Sequence, residues 1–224
     1  MSNCILVPIK TNNKRLPGKT FRPLAGKPLY SYLFDTLMKV KASRTAREVY
    51  VYSSDKTILS LAEDWGFSPL KQPPEYDTTP SVTGDFLIEK VIPDIEEVDV
   101  IGWLHITTPF LTPATIRRAV SSLENSSELD SVFGITPRYN RFWYGGKPVN
   151  HDTKKLIRTQ DLTPVYEEAD FYFFRRESFR KYGKRVCGNF QTIEVDRIEA
   201  VDIDCLEDLL YAEALIKSGL VPKR

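Results

Sequence analysis

Two stretches of this chain hold side chains whose types and spacing could do chemistry. Near the N-terminus, an apolar run at residues 5–9 gives way to a polar loop carrying Lys10, Lys14, Arg15 and Lys19, with Asn12 and Asn13 among them and Pro17-Gly18 forcing a turn. A strand that ends in a basic, glycine-containing loop before a helix is where α/β proteins hold phosphates, because cations and free backbone N–H groups converge on one polyanion. It is neither of the commonest phosphate loops: Gly-x-Gly-x-x-Gly is absent, and so is the full Gly-x-x-x-x-Gly-Lys-Ser/Thr pattern. The other reading is a solvated basic loop. Near the C-terminus stands Asp202-Ile203-Asp204. On an extended segment, residues i and i+2 face the same side, so the two carboxylates could share one hard divalent cation. Alternatively, Asp204 with Glu207 three residues on forms a capping box and only starts the last helix.

The elements that must position these groups alternate. Pro28 opens a helix with Leu29, Tyr32, Leu33, Thr36, Leu37 and Val40 on one side. Residues 48–54 are β-branched and aromatic and read as a strand. Ser53-Ser54-Asp55 ends it and can cap a helix over 56–65 that stops at Gly66. A short strand at 67–70 precedes an irregular segment, 71–80, with three prolines, and Ser81 is expected to cap a helix reaching about Ile92. Residues 98–107 are the most apolar run and predict a central strand ending near His105 and Thr107. Thr112-Pro113 supplies a cap and a first-turn proline for a helix to about Leu123, and 131–136 is another strand. Such alternation predicts an α/β fold with a largely parallel sheet, whose ligands sit beyond the carboxyl ends of the strands.

From 137 to 168 the pattern breaks. Tyr139, Phe142, Trp143 and Tyr144 precede Gly145-Gly146, which suggests a β-hairpin arm or insertion whose aromatic cluster suits an interface, with His151 on its surface. Strands at 170–174 and 190–195 follow, with a short helix at 177–182 between them. A strand end at 199–204 leads into a helix over 205–218 that buries Leu206, Leu209, Leu210 and Ile216.

The chain has 224 residues, with 31 Lys plus Arg against 30 Asp plus Glu, a net charge of +1 that argues against a dedicated nucleic-acid binder. One domain is expected over 1–224. Cys4, Cys187 and Cys205 are scattered and suggest neither zinc nor disulfides. No apolar stretch is long enough to span a membrane, and the N-terminus lacks the layout of a signal peptide, so the cytoplasm is the expected location.

Several motifs in order resemble the acylneuraminate (sialic acid) and ketodeoxyoctulosonate cytidylyltransferases: Lys14-Arg15-Leu16-Pro17-Gly18-Lys19 with Pro23-Leu24-Ala25-Gly26-Lys27-Pro28-Leu29, then 51–55, 104–109, Arg158-Thr159-Gln160-Asp161-Leu162, and Asp202-Ile203-Asp204 with Glu207-Asp208-Leu209. The resemblance implies a three-layer Rossmann-like nucleotidyltransferase with a mostly parallel mixed sheet and a β-hairpin dimerisation arm at 137–168. It implies CTP as donor, Mg²⁺, release of pyrophosphate, an acidic sugar as acceptor and a homodimer. By position, Lys10, Lys14, Arg15 and Lys19 would grip the triphosphate with help from Asn12 and Asn13. Gln72, Thr79 and Ser81 would bind the nucleotide at its base, Asp202 and Asp204 would hold Mg²⁺, and Lys10, Lys19 and both aspartates would be the catalytic set. His105, Arg158 and Gln160 would meet the acceptor. The sequence departs from the family pattern at Lys10, Asn13, His105, Ile106 and Leu111, and carries Glu167-Glu168-Ala169-Asp170 where acidic residues would repel an acceptor carboxylate. A different acid (an octulosonate or a phosphonate) and a CTP-binding homologue without catalysis therefore stand beside a nonulosonic acid synthetase.

Overall fold

The computed structural model describes residues 1–221. Seven strands form one sheet: β1 (Asn3–Pro8), β2 (Glu48–Ser53), β3 (Ser68–Lys71), β4 (Val100–Leu104), β5 (Ser131–Arg138), β6 (Val165–Arg175) and β7 (Phe190–Glu194). Their order is β7-β5-β6-β4-β1-β2-β3. All run parallel except β6, which is antiparallel to both β4 and β5. The result is the expected mixed, mostly parallel Rossmann-like sheet between helical layers.

Alternation along β1 explains the layers. Ile5, Val7 and Ile9 face one core, which takes Leu33, Phe34 and Leu37 of α1 (Leu29–Ala42), Ile58 of α2 (Lys56–Asp64), and, past α3, Ile116 and Val120 of α4 (Pro113–Asn125). Cys4 and Leu6 face the opposite core, against Leu87, Ile88 and Val91 of α3 (Gly84–Val91) and Phe179 of α5 (Arg176–Tyr182). A strand buried on both faces needs such an unbroken apolar run. A third cluster lies apart, where Leu209, Ala212 and Leu215 of α6 (Leu206–Lys217) pack with Leu16, Leu24, Val201 and Ile203.

Caps follow the sequence where it was explicit. The Asp55 side chain accepts from Thr57 and Ile58, and Thr112 from Thr115, with Pro113 in the first turn. Elsewhere the structure differs. Thr83, not Ser81, caps α3, accepting from the N–H of Phe86 at 3.2 Å. The central strand stops at Leu104, and residues 105–109 turn, with Thr108 bonding back to the His105 carbonyl at 2.8 Å. Residues 199–204 form no strand; the Ile203 N–H donates to the Thr107 carbonyl at 2.9 Å, and Glu199 accepts from the Thr112 N–H at 2.8 Å. Cys205 rather than Asp204 caps α6, paired reciprocally with Asp208, because the Asp204 carboxylate is engaged elsewhere. Leu209 is buried as expected, but Leu206 and Leu210 are exposed, since only one stripe of α6 meets the third cluster.

β5 and β6 continue pairing beyond the sheet, out to Arg138 opposite Val165, and a small hairpin (Trp143–Tyr144 with Lys147–Pro148) projects from their ends. Tyr139, Trp143 and Tyr144 are exposed there. His151 is half-buried rather than on the surface, its ring edge-on to Trp143 at 5.0 Å.

Candidate active site

The third cluster brings the two chemical stretches together. Leu16 sits in the basic loop and Ile203 between the two aspartates, and both are essentially fully buried in it. Each such burial stabilises by about 1.5–3 kcal/mol, so the loop is fastened to the aspartate segment by apolar contact before any charge is considered. The ionic contacts follow. Lys19 is buried and its Nζ donates to the Ile203 carbonyl at 2.9 Å and to Asp204 Oδ1 at 2.8 Å. Arg15 Nη2 reaches Asp204 Oδ2 at 2.6 Å from the solvent side.

These residues line a cavity of about 330 Å³ at the carboxyl edge of β1 and β4. Lys10, Asn13, Lys19, His105, Asp202 and Asp204 all contribute to its wall. Asn13 is held by an Nδ2 bond to the Lys10 carbonyl at 2.9 Å. The other expected residues lie elsewhere. Asn12 and Lys14 are exposed on the loop. Gln72 is buried and donates to Asp77 at 2.8 Å, Thr79 is exposed and donates to the Glu75 carbonyl at 2.7 Å, and Ser81 is exposed. Arg158 and Gln160 occupy an exposed turn, where Arg158 pairs with Asp161 at 2.7 Å.

The two aspartates are electrostatically unequal. Lys19 and Arg15 outweigh burial at Asp204 and hold its carboxyl below the usual range. Burial, with the Asp170 and Asp204 carboxylates, pushes Asp202 up to about 7, against the pull of Thr107 and Lys19. Asp202 Oδ1 is buried with no hydrogen-bond partner. At the cavity floor, burial pushes His105 down to about 4 despite Asp170, with Arg185 and Lys19 acting in the same direction as burial. Its imidazole is therefore neutral at pH 7 and suited to hydrogen bonding more than to strong base catalysis.

Sequence reasoning missed three residues. Asp170 reaches the cavity because the β5–β6 register shifts between Glu168 and Tyr172, leaving Asp170 at φ 45° just before Phe171, which pairs with Leu104 at the end of β4. Read as sequence, the arm ends at 168 and a strand begins at Asp170, so a single strand running through the shift is not expected. Arg185, in the loop after α5, also lines the cavity. Asp77 accepts from Ser54, from Gln72 at 2.8 Å and from Thr11 at 3.4 Å, tying the proline-rich segment to the basic loop. Asp170, Asp202 and Asp204 also face a second cavity of about 470 Å³, which Arg138 and Arg197 enter from the far side.

The sequence model of the cytidylyltransferase family matches residues 4–217. CMP-N,N'-diacetyllegionaminic acid synthase of Legionella pneumophila is 32% identical over 226 residues, covering 95% of each chain. Pseudaminic acid cytidylyltransferase of Campylobacter jejuni is 26% identical, covering 97% of each. A solved CMP:2-keto-3-deoxy-manno-octonic acid synthetase complexed with CTP shares the fold with a TM-score of 0.75 over 98% of this chain and 100% of that one, at 14% identity. With the family model spanning nearly its whole length and a full-length relative at this identity, the chain belongs to the cytidylyltransferase family.

Proposed function

We propose that this protein transfers cytidylate from CTP to a hydroxyl of an acidic, nonulosonic-type sugar, giving the CMP-sugar and pyrophosphate. The observation that carries the reading is the cluster of Lys19, Asp204 and Asp202 in one cavity beside the basic loop. The acceptor hydroxyl oxygen attacks the α-phosphorus and loses its proton to solvent, a new P–O bond forms, the bond to the β-phosphate bridging oxygen breaks, and pyrophosphate leaves. Lys10 and Lys19, with Arg15 and Lys14 at the mouth, neutralise the polyphosphate, and Asn13 adds an amide contact. The sugar acid follows the printed names of the relatives at 26% and 32% identity.

Mg²⁺ fits the residues present. Asp202 offers a buried oxygen without a partner, in a site where a second carboxylate stands close by. Among the described residues no three such donors group to hold a metal by themselves, which suits an ion that takes its remaining oxygens from phosphates and water. Asp202 and Asp204 would hold it, and its contribution when bound is to offset charge on the phosphates.

The ribbon at 137–168, with Trp143 and Tyr144 exposed, is the surface we assign to a second copy of the chain. Three free cysteines suit a reducing compartment such as the cytoplasm. Among the described residues no helix is long and apolar enough to cross a membrane. The test is pyrophosphate release with CTP, UTP or ATP against a panel of sugar acids, with product masses read out. Turnover with CTP and one acid is expected, and none with any pair would overturn the proposal. Because Asp204 is occupied by both Arg15 and Lys19, nucleotide binding without turnover is the second reading; calorimetric CTP binding in the absence of pyrophosphate would favour it.

A further inference from the structure

Opposite the basic loop, the wall of the first cavity is built around an arginine that the loop chemistry does not use. Arg185 lines the cavity, and its guanidinium lies 4.5 Å from the centre of the Tyr172 ring. Its Nη1 and backbone N–H both donate to Asp85 Oδ1, at 3.0 and 3.2 Å. Tyr172 is itself held, its hydroxyl donating its one proton to Glu168 at 2.6 Å, with Asp170 Oδ1 3.0 Å from the same oxygen. Gly84 makes the seat possible, since a Cβ there would stand 2.6 Å from Arg185 Nη1. Only Nη1 of the side chain is spent among the described residues, and Nε is buried without a partner. Beside it, Trp103 Nε1 is another buried donor with no partner, on a side chain 1% exposed that lines the same cavity.

A fixed guanidinium with its Nε–Nη2 edge unspent has the width and charge to take a planar carboxylate in two parallel bonds. An unpartnered buried donor is unfavourable, and a bound oxyanion would satisfy it. Resting on the function proposed above, we propose that Arg185, with Trp103 Nε1 beside it, recognises the carboxylate of the acceptor sugar and so determines which acceptors are taken. This also answers the acidic run at 167–170. Glu168 and Asp170 are bridged by the Tyr172 hydroxyl, and the same ring carries the cation that offsets them.

The probes are N,N'-diacetyllegionaminic acid, pseudaminic acid and 3-deoxy-manno-octulosonate, each with CTP, together with the carboxamide of whichever acid is turned over. Wild type is expected to favour the acid over its carboxamide by about 100-fold. Arg185→Met should raise the acceptor KM by about that factor, abolish the preference, and leave the CTP KM within about threefold. Arg185→Lys, charged but without the fork, should fall between. Gly84→Ala, which displaces the guanidinium without removing it, should also raise the acceptor KM, and this keeps the test alive if Arg185→Met folds poorly. A rise in the CTP KM instead would mean that this edge reads cytosine, and would overturn the assignment; so would a preference for the acid that survives Arg185→Met. Pyrophosphate release by wild type judges the proposed reaction separately. If there is none, calorimetry of the three acids with CTP present decides, and equal or absent binding to wild type and Arg185→Met overturns the inference.

Discussion

Replacing Asp202 with asparagine separates what this carboxylate costs the fold from what it contributes to chemistry. In the metal-free protein its pKa stands near 7 against 3.8 for an ordinary aspartate, so the folded chain retains a proton that the unfolded chain has released. A raised carboxyl is harmless below about pH 4; its penalty grows as pH climbs to about 7 and is constant above. At about 1.4 kcal/mol per unit the whole shift would amount to roughly 4 kcal/mol. Asp202 is only partly buried, and solvent screening reduces the figure to about 1–2 kcal/mol. Asp202→Asn removes the penalty. With a chelator present, thermal melts are expected to coincide with wild type at about pH 3.5 and to lie roughly 2–8 °C higher at pH 8. Added Mg²⁺ should raise the wild-type Tm at pH 8 and leave the variant unmoved, while pyrophosphate release is lost. A variant that melts below wild type at pH 8 in chelator would refute the reasoning, because Asp202 Oδ1 would then have a stabilising partner.

Lys19→Met removes both buried bonds to the aspartate segment, and should cost about 1–3 kcal/mol in denaturant melts and at least about 100-fold in kcat/KM. Leu16→Ala keeps every charge but opens the third core, so it is expected to cost about 2–4 kcal/mol in denaturant unfolding and to raise the CTP KM through a loosened basic loop. Asp77→Ala frees Ser54, Gln72 and Thr11 together, and should speed hydrogen exchange over residues 72–81 while leaving the sheet protected. His105 is lowered, so its stabilising neutrality is complete above pH 6.5 and is lost as pH falls through about 4; its NMR resonances should stay flat between pH 6 and 8, and His105→Gln should blunt the loss of stability in acid.

The layers and most helix starts were legible because their causes are local. An apolar run bounded by turn residues is a buried strand wherever it lies, and Asp55 or Thr112-Pro113 caps by bonding its own next turn. What failed was nonlocal. Nothing in the composition of 199–204 distinguishes a strand from an extended segment that meets β4 only through the turn after it, at Thr107. Leu206 and Leu210 have the chemistry of core residues, but α6 meets only the small third cluster, which has room for one stripe. Asp170 does lie in a strand, as expected, and what stayed hidden is the register shift beside it, a property of two paired strands that shows in its φ of 45°. The basic loop and the aspartate pair were legible by residue type, whereas Arg185 was not. A single arginine after a short helix has no pattern of its own, and its role comes from Gly84, Asp85 and Tyr172, none of them near it in sequence.

That contrast explains how the site is divided. The side proposed for phosphate is encoded within one loop and one tripeptide, which the Leu16–Ile203 core fastens together. The opposite wall is assembled from α3, β4, β6 and the loop after α5, four elements that share no sequence pattern. Because β6 alone runs against the sheet, its first half rather than its last arrives at the strand ends, and Asp170 comes with it. A change in α3, in β4 or in the loop after α5 alters that wall and leaves the residues of the basic loop and the aspartate tripeptide in place, whereas Asp170 of β6 also bears on Asp202. On the proposed function, acceptor specificity is therefore to be sought in the wall built on Arg185, apart from the loop cations proposed to meet the phosphates.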